Sequence, residues 1–534
     1  MILDIMKLIS TLTQLWLLRF IFRHIEPICA VPNLCNHVYQ SNMRFSERTL
    51  LIQSEDVRFR VAKHDSLSLV SAIVCIIDVF GVFPIVALPK AIIDCGFYGV
   101  PLIATVCSVQ IYTAILLGRC WMIAESIDSS INTKSRYPYS ALAEFTYGKT
   151  LGKLVTILVD ITVFGGGIPN LIVASQNMQL LGLRLTSGDL NISFCIWILV
   201  LGTVLCPILW LGSPKDMKYL CLLSVCIVFL VFFLVNGSMI YSTTEDLPSS
   251  NSMVNKKSTW EYLLLAFGMV TFQFDIHPNI LTIVVDMKEK IKISKAVMVS
   301  FLVTLCMFGV TCINGYLKFG KSLRPSILET LSTTMLLHFA SVLVAVQLCL
   351  TSAISNNALY QHMEESLNIS REFNHKRCIL RTVLVILAII IAESVPRFDI
   401  VMSLIGAALI SPLVFILPPL FYLKILKIQD RRKEDLTFEL FMKSADADGD
   451  ILSVDTSFSD SIVQNPTKFN SFLRKQDKYL VSARSIEYFI CVSIVLASLF
   501  STILSTYLNI KDASSFESFS YPCIMNVTSA FVEI

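Results

Sequence analysis

Charge is scarce in this chain: of 534 residues only 16% are Asp, Glu, Lys or Arg, against about 25% in a soluble domain. With 54% hydrophobic residues and a mean hydropathy of +0.68, a string of soluble domains is excluded, as are collagen, coiled coil and an outer-membrane barrel. Neither sign dominates. The net charge of +3 implies no nucleic-acid partner. The 16 cysteines form no disulfide framework, since Cys75, Cys107, Cys195, Cys206, Cys221, Cys226, Cys306, Cys312, Cys349 and Cys491 fall inside apolar segments, where a thiol serves as a small hydrophobe. No Walker A run, GxSxG elbow, HExxH or paired CxxC occurs. ATP-driven pumping and hydrolysis are without support, and no cofactor or metal is expected.

What is present is a series of apolar runs, each near the ~20 residues that cross about 30 Å of hydrocarbon. They fall at 66–93, 99–124, 152–180, 191–212, 217–241, 260–285, 294–317, 332–359, 377–396, 399–424 and 485–508. The fold class is an all-α polytopic membrane protein of about 11 transmembrane helices. Loops on one side hold Lys134, Arg136, Lys149, Lys153, Lys215, Lys218, Lys288, Lys290, Lys292, Arg371, Lys376, Arg377 and a basic run from Lys424 to Lys433. The other side is poorer, so the richer one is cytosolic and the C-terminus is not. The sequons at Asn191 and Asn526 fall on the non-cytosolic side.

The divisions follow. Residues 1–65 form a cytosolic segment; 66–424 form a ten-helix core with halves 66–241 and 260–424; 425–484 form a polar cytosolic loop. Residues 485–508 are the eleventh span and 509–534 a non-cytosolic tail. Within the first segment, 8–22 is apolar but interrupted by Arg19, and reads as an amphipathic surface segment, with a signal peptide and then a twelfth span as the alternatives. Asp446-Ala447-Asp448-Gly449-Asp450 begins like a calcium loop, but Ile451 and Ser457 stand where glycine and glutamate are required.

A transporter needs polar groups at membrane depth, where unpaired backbone is tolerated only against a cavity. The first span carries Gly81-Val82-Phe83-Pro84 and then Leu88-Pro89; the sixth carries Phe272-Gln273-Phe274-Asp275-Ile276-His277-Pro278. Interruptions five spans apart fit two inverted five-helix repeats with a site between them. Gly81, Val82, Phe83, Pro84, Phe272, Phe274, Asp275 and His277 are thus the candidate substrate site, with packing as the plain alternative for each aromatic. Ionisable groups inside spans are costly. Asp275 and His277 are the first candidates for proton coupling, with Asp78 and Asp160 next if they face the same cavity; Glu393 reads as an interfacial, snorkelling group.

Further residues recur in a known order: Leu88-Pro89, Ala91 and Gly96; Tyr112-Thr113 with Leu116-Leu117 and Cys120; Tyr137-Pro138, Ala143-Glu144 and Tyr147-Gly148. Then come Gly315-Tyr316 with Phe319-Gly320, Arg381-Thr382, Val395-Pro396-Arg397-Phe398, Leu404-Ile405-Gly406 and Leu417-Pro418-Pro419-Leu420. In these the chain resembles the amino acid/auxin permease family, and within it the vacuolar and vesicular amino acid transporters, from about Leu69 to Tyr507. The resemblance implies the fold of the amino-acid/polyamine/organocation transporters, five plus five helices and one more. It also implies proton-linked movement of amino acids, often across a vacuolar, lysosomal or vesicle membrane. Phe272, His277 and Met287 stand where many members have the same residues. Lys90, Val82, Pro84, Ile276 and Leu281 depart from the pattern, which implies a pocket unlike that of relatives.

The expected function is secondary active transport of small, neutral amino acids driven by protons, with sodium left open. The partners are the amino acid and membrane lipid, and the membrane is vacuolar, lysosomal or vesicular, the plasma membrane being the alternative. An amino-acid sensor signalling through the 425–484 loop and a passive facilitator are the rival readings.

Overall fold

The computed structural model describes residues 67–134, 137–186, 192–211, 217–241, 258–331, 334–369, 374–394, 398–446 and 466–513. The segment 8–22, residues 447–450 of the calcium-like run, the sequon asparagines Asn191 and Asn526 and the tail beyond 513 lie outside them.

Helices occupy every position at which a span was expected. The first is broken twice: α1 (Leu69–Phe80), α2 (Phe83–Val86) and α3 (Leu88–Asp94). Gly81 ends α1 at φ +60°, a left-handed conformation that glycine adopts without steric cost. Pro84 and Pro89 sit in the first turns of α2 and α3, where a missing amide hydrogen does no harm. Next come α4 (Gly99–Ile127), α5 (Pro138–Tyr147), α6 (Lys149–Leu185), α7 (Phe194–Leu211) and α8 (Met217–Tyr241). The sixth span is α9 (Thr259–Gln273) and α10 (His277–Asp286), parted at Phe274 to Ile276. A Ser258–Glu261 capping box starts α9.

The remainder is α11 (Ile293–Phe319), the short α12 (Ile327–Thr330), α13 (Met335–Ser366), α14 (His375–Ser394), α15 (Phe398–Ile405), α16 (Leu417–Asp446) and α17 (Pro466–Ala513). Two π-helical turns, Gly406–Ile410 and Pro412–Ile416, join α15 to α16; Pro412 supplies a carbonyl but no amide hydrogen to that junction. Among the described residues, seven stretches are long and apolar enough to cross a membrane as single helices.

Four expectations change. Residues 425–446 and 466–484 continue helices rather than forming a loop, because Lys, Arg, Glu and Leu dominate the first stretch and favour helix whatever their polarity. The amphipathic α5 is an added element, packed on α6. Cys195 is disulfide-bonded rather than a buried thiol. Glu393 is 1% exposed: it faces the bundle and does not snorkel.

The broken helices pack together. Phe80, Phe274 and Phe301 form an aromatic triad with centroids 4.9 to 5.8 Å apart. At one end the Leu67 amide donates to the Asp286 carbonyl (2.8 Å) and the Lys288 amide to the Leu67 carbonyl (3.1 Å), tying the beginning of α1 to the end of α10. On the opposite side of α9 the contact with the π segment is closest. A Cβ at Gly406 would lie 1.9 Å from the Gly268 carbonyl oxygen, and one at Gly268 would lie 2.3 Å from that of Ser403.

Candidate functional site

A cleft of about 700 Å³, counting space open to solvent, lies at the breaks. The first break contributes Gly81 and Phe83, the sixth span Phe272 and Asp275, α6 Thr162 and Asn170, and α13 Gln347, Thr351 and Ser352. Two faces are therefore backbone breaks and the other two are intact helices presenting amides and hydroxyls.

The breaks are held open by side chains. Gln273 Nε2 donates to the Phe80 carbonyl at 2.6 Å, and Gln110 Nε2 to that of Thr271 at 3.0 Å, satisfying carbonyls that the interrupted helices leave free. Gln347 donates to Thr351 (2.7 Å) and Ser224 (3.3 Å). Its amide nitrogen lies 3.0 Å from where a Cβ on Gly81 would be, so a side chain there would meet both strain and contact. Asn170 donates to Ser352 at 3.0 Å, joining α6 to α13 across the cleft.

Among the described residues Asp275 is the one carboxylate lining the cleft. Its Oδ1 accepts the His277 backbone amide at 3.0 Å, capping α10 where a helix N-terminus favours negative charge. The same oxygen stands 3.4 Å from His277 Nδ1. His277 itself is fully buried behind the cleft wall, with Nε2 3.0 Å from Thr113 Oγ1.

The expected site residues thus divide. Gly81, Phe83, Phe272 and Asp275 line the cleft. Val82, Pro84, Phe274 and His277 do not: they are buried in the packing around it, because the turns at the breaks point alternate side chains away from the opening. Asp78 is buried one layer behind, where Thr351 Oγ1 meets its Oδ1 at 3.4 Å. Asp160 is outside the cleft, paired with His362 at 2.6 Å. Thr162, Asn170, Gln347, Thr351 and Ser352 were not singled out by sequence; hydroxyls and amides are common in membrane helices, and only the rotation of α6 and α13 brings these to one place. At the end of α6, Arg184 donates to the Leu328 and Glu329 carbonyls (3.1 and 3.3 Å), pinning α12 to α6. Burial raises the Glu329 carboxyl above the usual range there.

Two interrupted helices around a polar cleft, inside a bundle of apolar helices, define a membrane transporter. The chain belongs to the transmembrane amino acid transporter protein family, which it matches over residues 65–444. It is 24% identical over 359 residues to the Arabidopsis thaliana amino acid transporter AVT1D, covering 64% of this chain and 61% of that one. The match to AVT1I of the same plant is 22% identical and covers 64% and 82%. The chain therefore spans about three fifths of AVT1D's length. A Danio rerio protein named sodium-coupled neutral amino acid symporter 2 is 30% identical over 171 residues, 30% of this chain and 34% of that one. Among solved structures, MhsT in complex with L-phenylalanine aligns at a TM-score of 0.45 with 11% identity, covering 66% and 94%. An Eremococcus coleocola manganese transporter aligns at 0.40 with 13% identity, covering 83% and 94%.

Proposed function

We propose that this chain carries small neutral amino acids across a membrane, coupled to protons, at the cleft between the two breaks. The observation that carries this reading is the Asp275–His277 contact. Thr113 Oγ1 lies 3.0 Å from His277 Nε2 and 2.9 and 3.2 Å from the Val109 and Gln110 carbonyls, and its single hydrogen can serve any one of the three. On the other edge of the ring, Nδ1 faces the Asp275 carboxylate oxygen at 3.4 Å, close enough for the charge on one group to act on the other. One carboxylate therefore meets both the cleft and a titratable partner, which is what linking solute to proton requires.

The lining supports the solute class. Among the described residues no Lys or Arg lines the cleft, so an anionic side chain finds no counter-charge among them. Asp275 suits the α-ammonium, and the α1 and α2 break suits the α-carboxylate. An acidic vacuolar, lysosomal or vesicular lumen would supply the gradient.

The test is uptake of the twenty amino acids into vesicles of the purified full chain, with an imposed pH gradient, a sodium gradient or neither. Accumulation of neutral amino acids only with the pH gradient is expected. Accumulation driven by sodium alone, or equilibration indifferent to both, would overturn the coupling.

A further inference from the structure

The Asp160–His362 pair stands apart from the cleft but on the two helices that line it. Thr162 on α6 and Ser355 on α13 are lining residues; Asp160 is half a turn beyond the first and His362 two turns beyond the second. Both lie toward the end that the Lys/Arg distribution places in the cytosol. At the cleft itself the helices touch, since a Cβ on the lining residue Gly167 would come within 2.8 Å of Asn356 Nδ2. The pair joins the same two helices nearer that end.

A third partner covers it. The Tyr137 ring, just before α5, is centred 4.4 Å from the His362 ring at 54°. Beyond that contact α5 is fastened by phenols: Tyr139 donates to the Leu413 carbonyl (2.6 Å) and Tyr147 to that of Leu420 (3.2 Å). The remaining charges at this end of α13 are accounted for. From α14, Arg377 and Arg381 turn to Glu364 at 3.2 and 2.7 Å, and Arg381 also donates to the Leu209 carbonyl of α7 and lies over the Tyr360 ring. From α6 only Asp160 meets His362, and on α13 itself Glu365 is the other carboxylate close enough to act on it.

We propose that Asp160, His362 and Tyr137 form a titratable clasp that sets access to the cleft from the cytosol. An imidazolium at His362 is drawn to the carboxylate on one side and to the face of the Tyr137 ring on the other, which holds the α5 strap down. A neutral imidazole can keep an N–H on the carboxylate but loses the charge that strengthens it and the attraction to the ring, which loosens the Tyr137 end of the strap. This is a gate on access and rests on the cleft as the transport site, but not on which ion drives transport.

The experiment reads access directly, with no need of an identified solute. A Ser355→Cys reporter in the reconstituted full chain is alkylated by a membrane-impermeant maleimide applied to the cytosolic face. Its rate is divided by that of a Lys427→Cys reporter on exposed α16, which cancels the thiol's own pH dependence. Between about pH 5.5 and about pH 9 the ratio should rise about threefold, the worth of one partly screened charge contact at a histidine beside a carboxylate. His362→Gln and Asp160→Asn should flatten the rise, and Tyr137→Ala should raise the ratio at both pH values. Tyr137→Phe, which keeps the ring, should behave as the parent and shows that loss in the alanine variant is not misfolding. The clasp is overturned if the parent ratio does not change with pH or if His362→Gln keeps the rise. It is equally overturned if His277→Gln abolishes the rise, for the response would then belong to the cleft pair.

Discussion

Asp275 does three things with one carboxylate: it lines the cleft, caps α10 and meets His277. Replacing it by asparagine keeps a cap acceptor but removes the charge, so solute affinity should fall by about ten- to a hundredfold, the cost of a lost charge-assisted hydrogen bond, in binding measured by scintillation proximity. His277→Gln removes titration without touching the cleft lining. It should leave exchange of labelled solute intact while flattening the dependence of net uptake on external pH; retained proton-driven accumulation would move the coupling site elsewhere, to Asp78 first. At Gly81 a valine must adopt φ +60° and press on Gln347. We expect about a tenfold rise in KM from roughly 1 to 2 kcal/mol of strain, against little change for Gly237→Ala on α8, where the added methyl meets nothing within 4 Å. Equal losses at both glycines would mean a folding defect.

At the level of elements, the breaks in the first and sixth spans were legible because glycine and proline leave a mark on the chain whatever surrounds them. The polar faces of α6 and α13 were not. A threonine or asparagine within an apolar run is compatible with facing lipid, a neighbour or a cavity, and rotation about the helix axis is settled by packing between distant segments. The same holds for Asp160, whose partner His362 comes from another helix altogether. The helical course of residues 425–446 was obscured for a different reason: polarity was taken as a sign of loop, although Glu, Lys and Arg form helix readily. Packing also explains Gly268 and Gly406, whose approach leaves no room for a methyl group. Because the obstructing atoms are backbone oxygens, Gly406→Ala should cost about 3 kcal/mol and lower the thermal midpoint of the detergent-purified protein by several degrees. An unchanged midpoint would mean that α9 and the π segment separate easily.

Over the whole molecule, the uneven distribution of Lys and Arg puts the beginning of α1 in the cytosol and the end of α17 on the other side. Tags at the two ends should show opposite protease protection in sealed vesicles; the same protection at both would require an additional crossing or one fewer. The main-chain link between Leu67 and Asp286 to Lys288 has a mechanical meaning at this scale. Together with Gln273, the last residue of α9, holding the Phe80 carbonyl, it makes α1 and the stretch from Gln273 to Lys288 opposite rails of a ladder with rungs at both ends. A ladder shears as one frame but does not let one rail swing alone. Whatever opens the cleft toward the cytosol must tilt both rails in step, or snap a rung first. Leu67→Pro, which deletes one donor, would loosen the lower rung while leaving the Lys288 amide on the Leu67 carbonyl and the Gln273 rung in place.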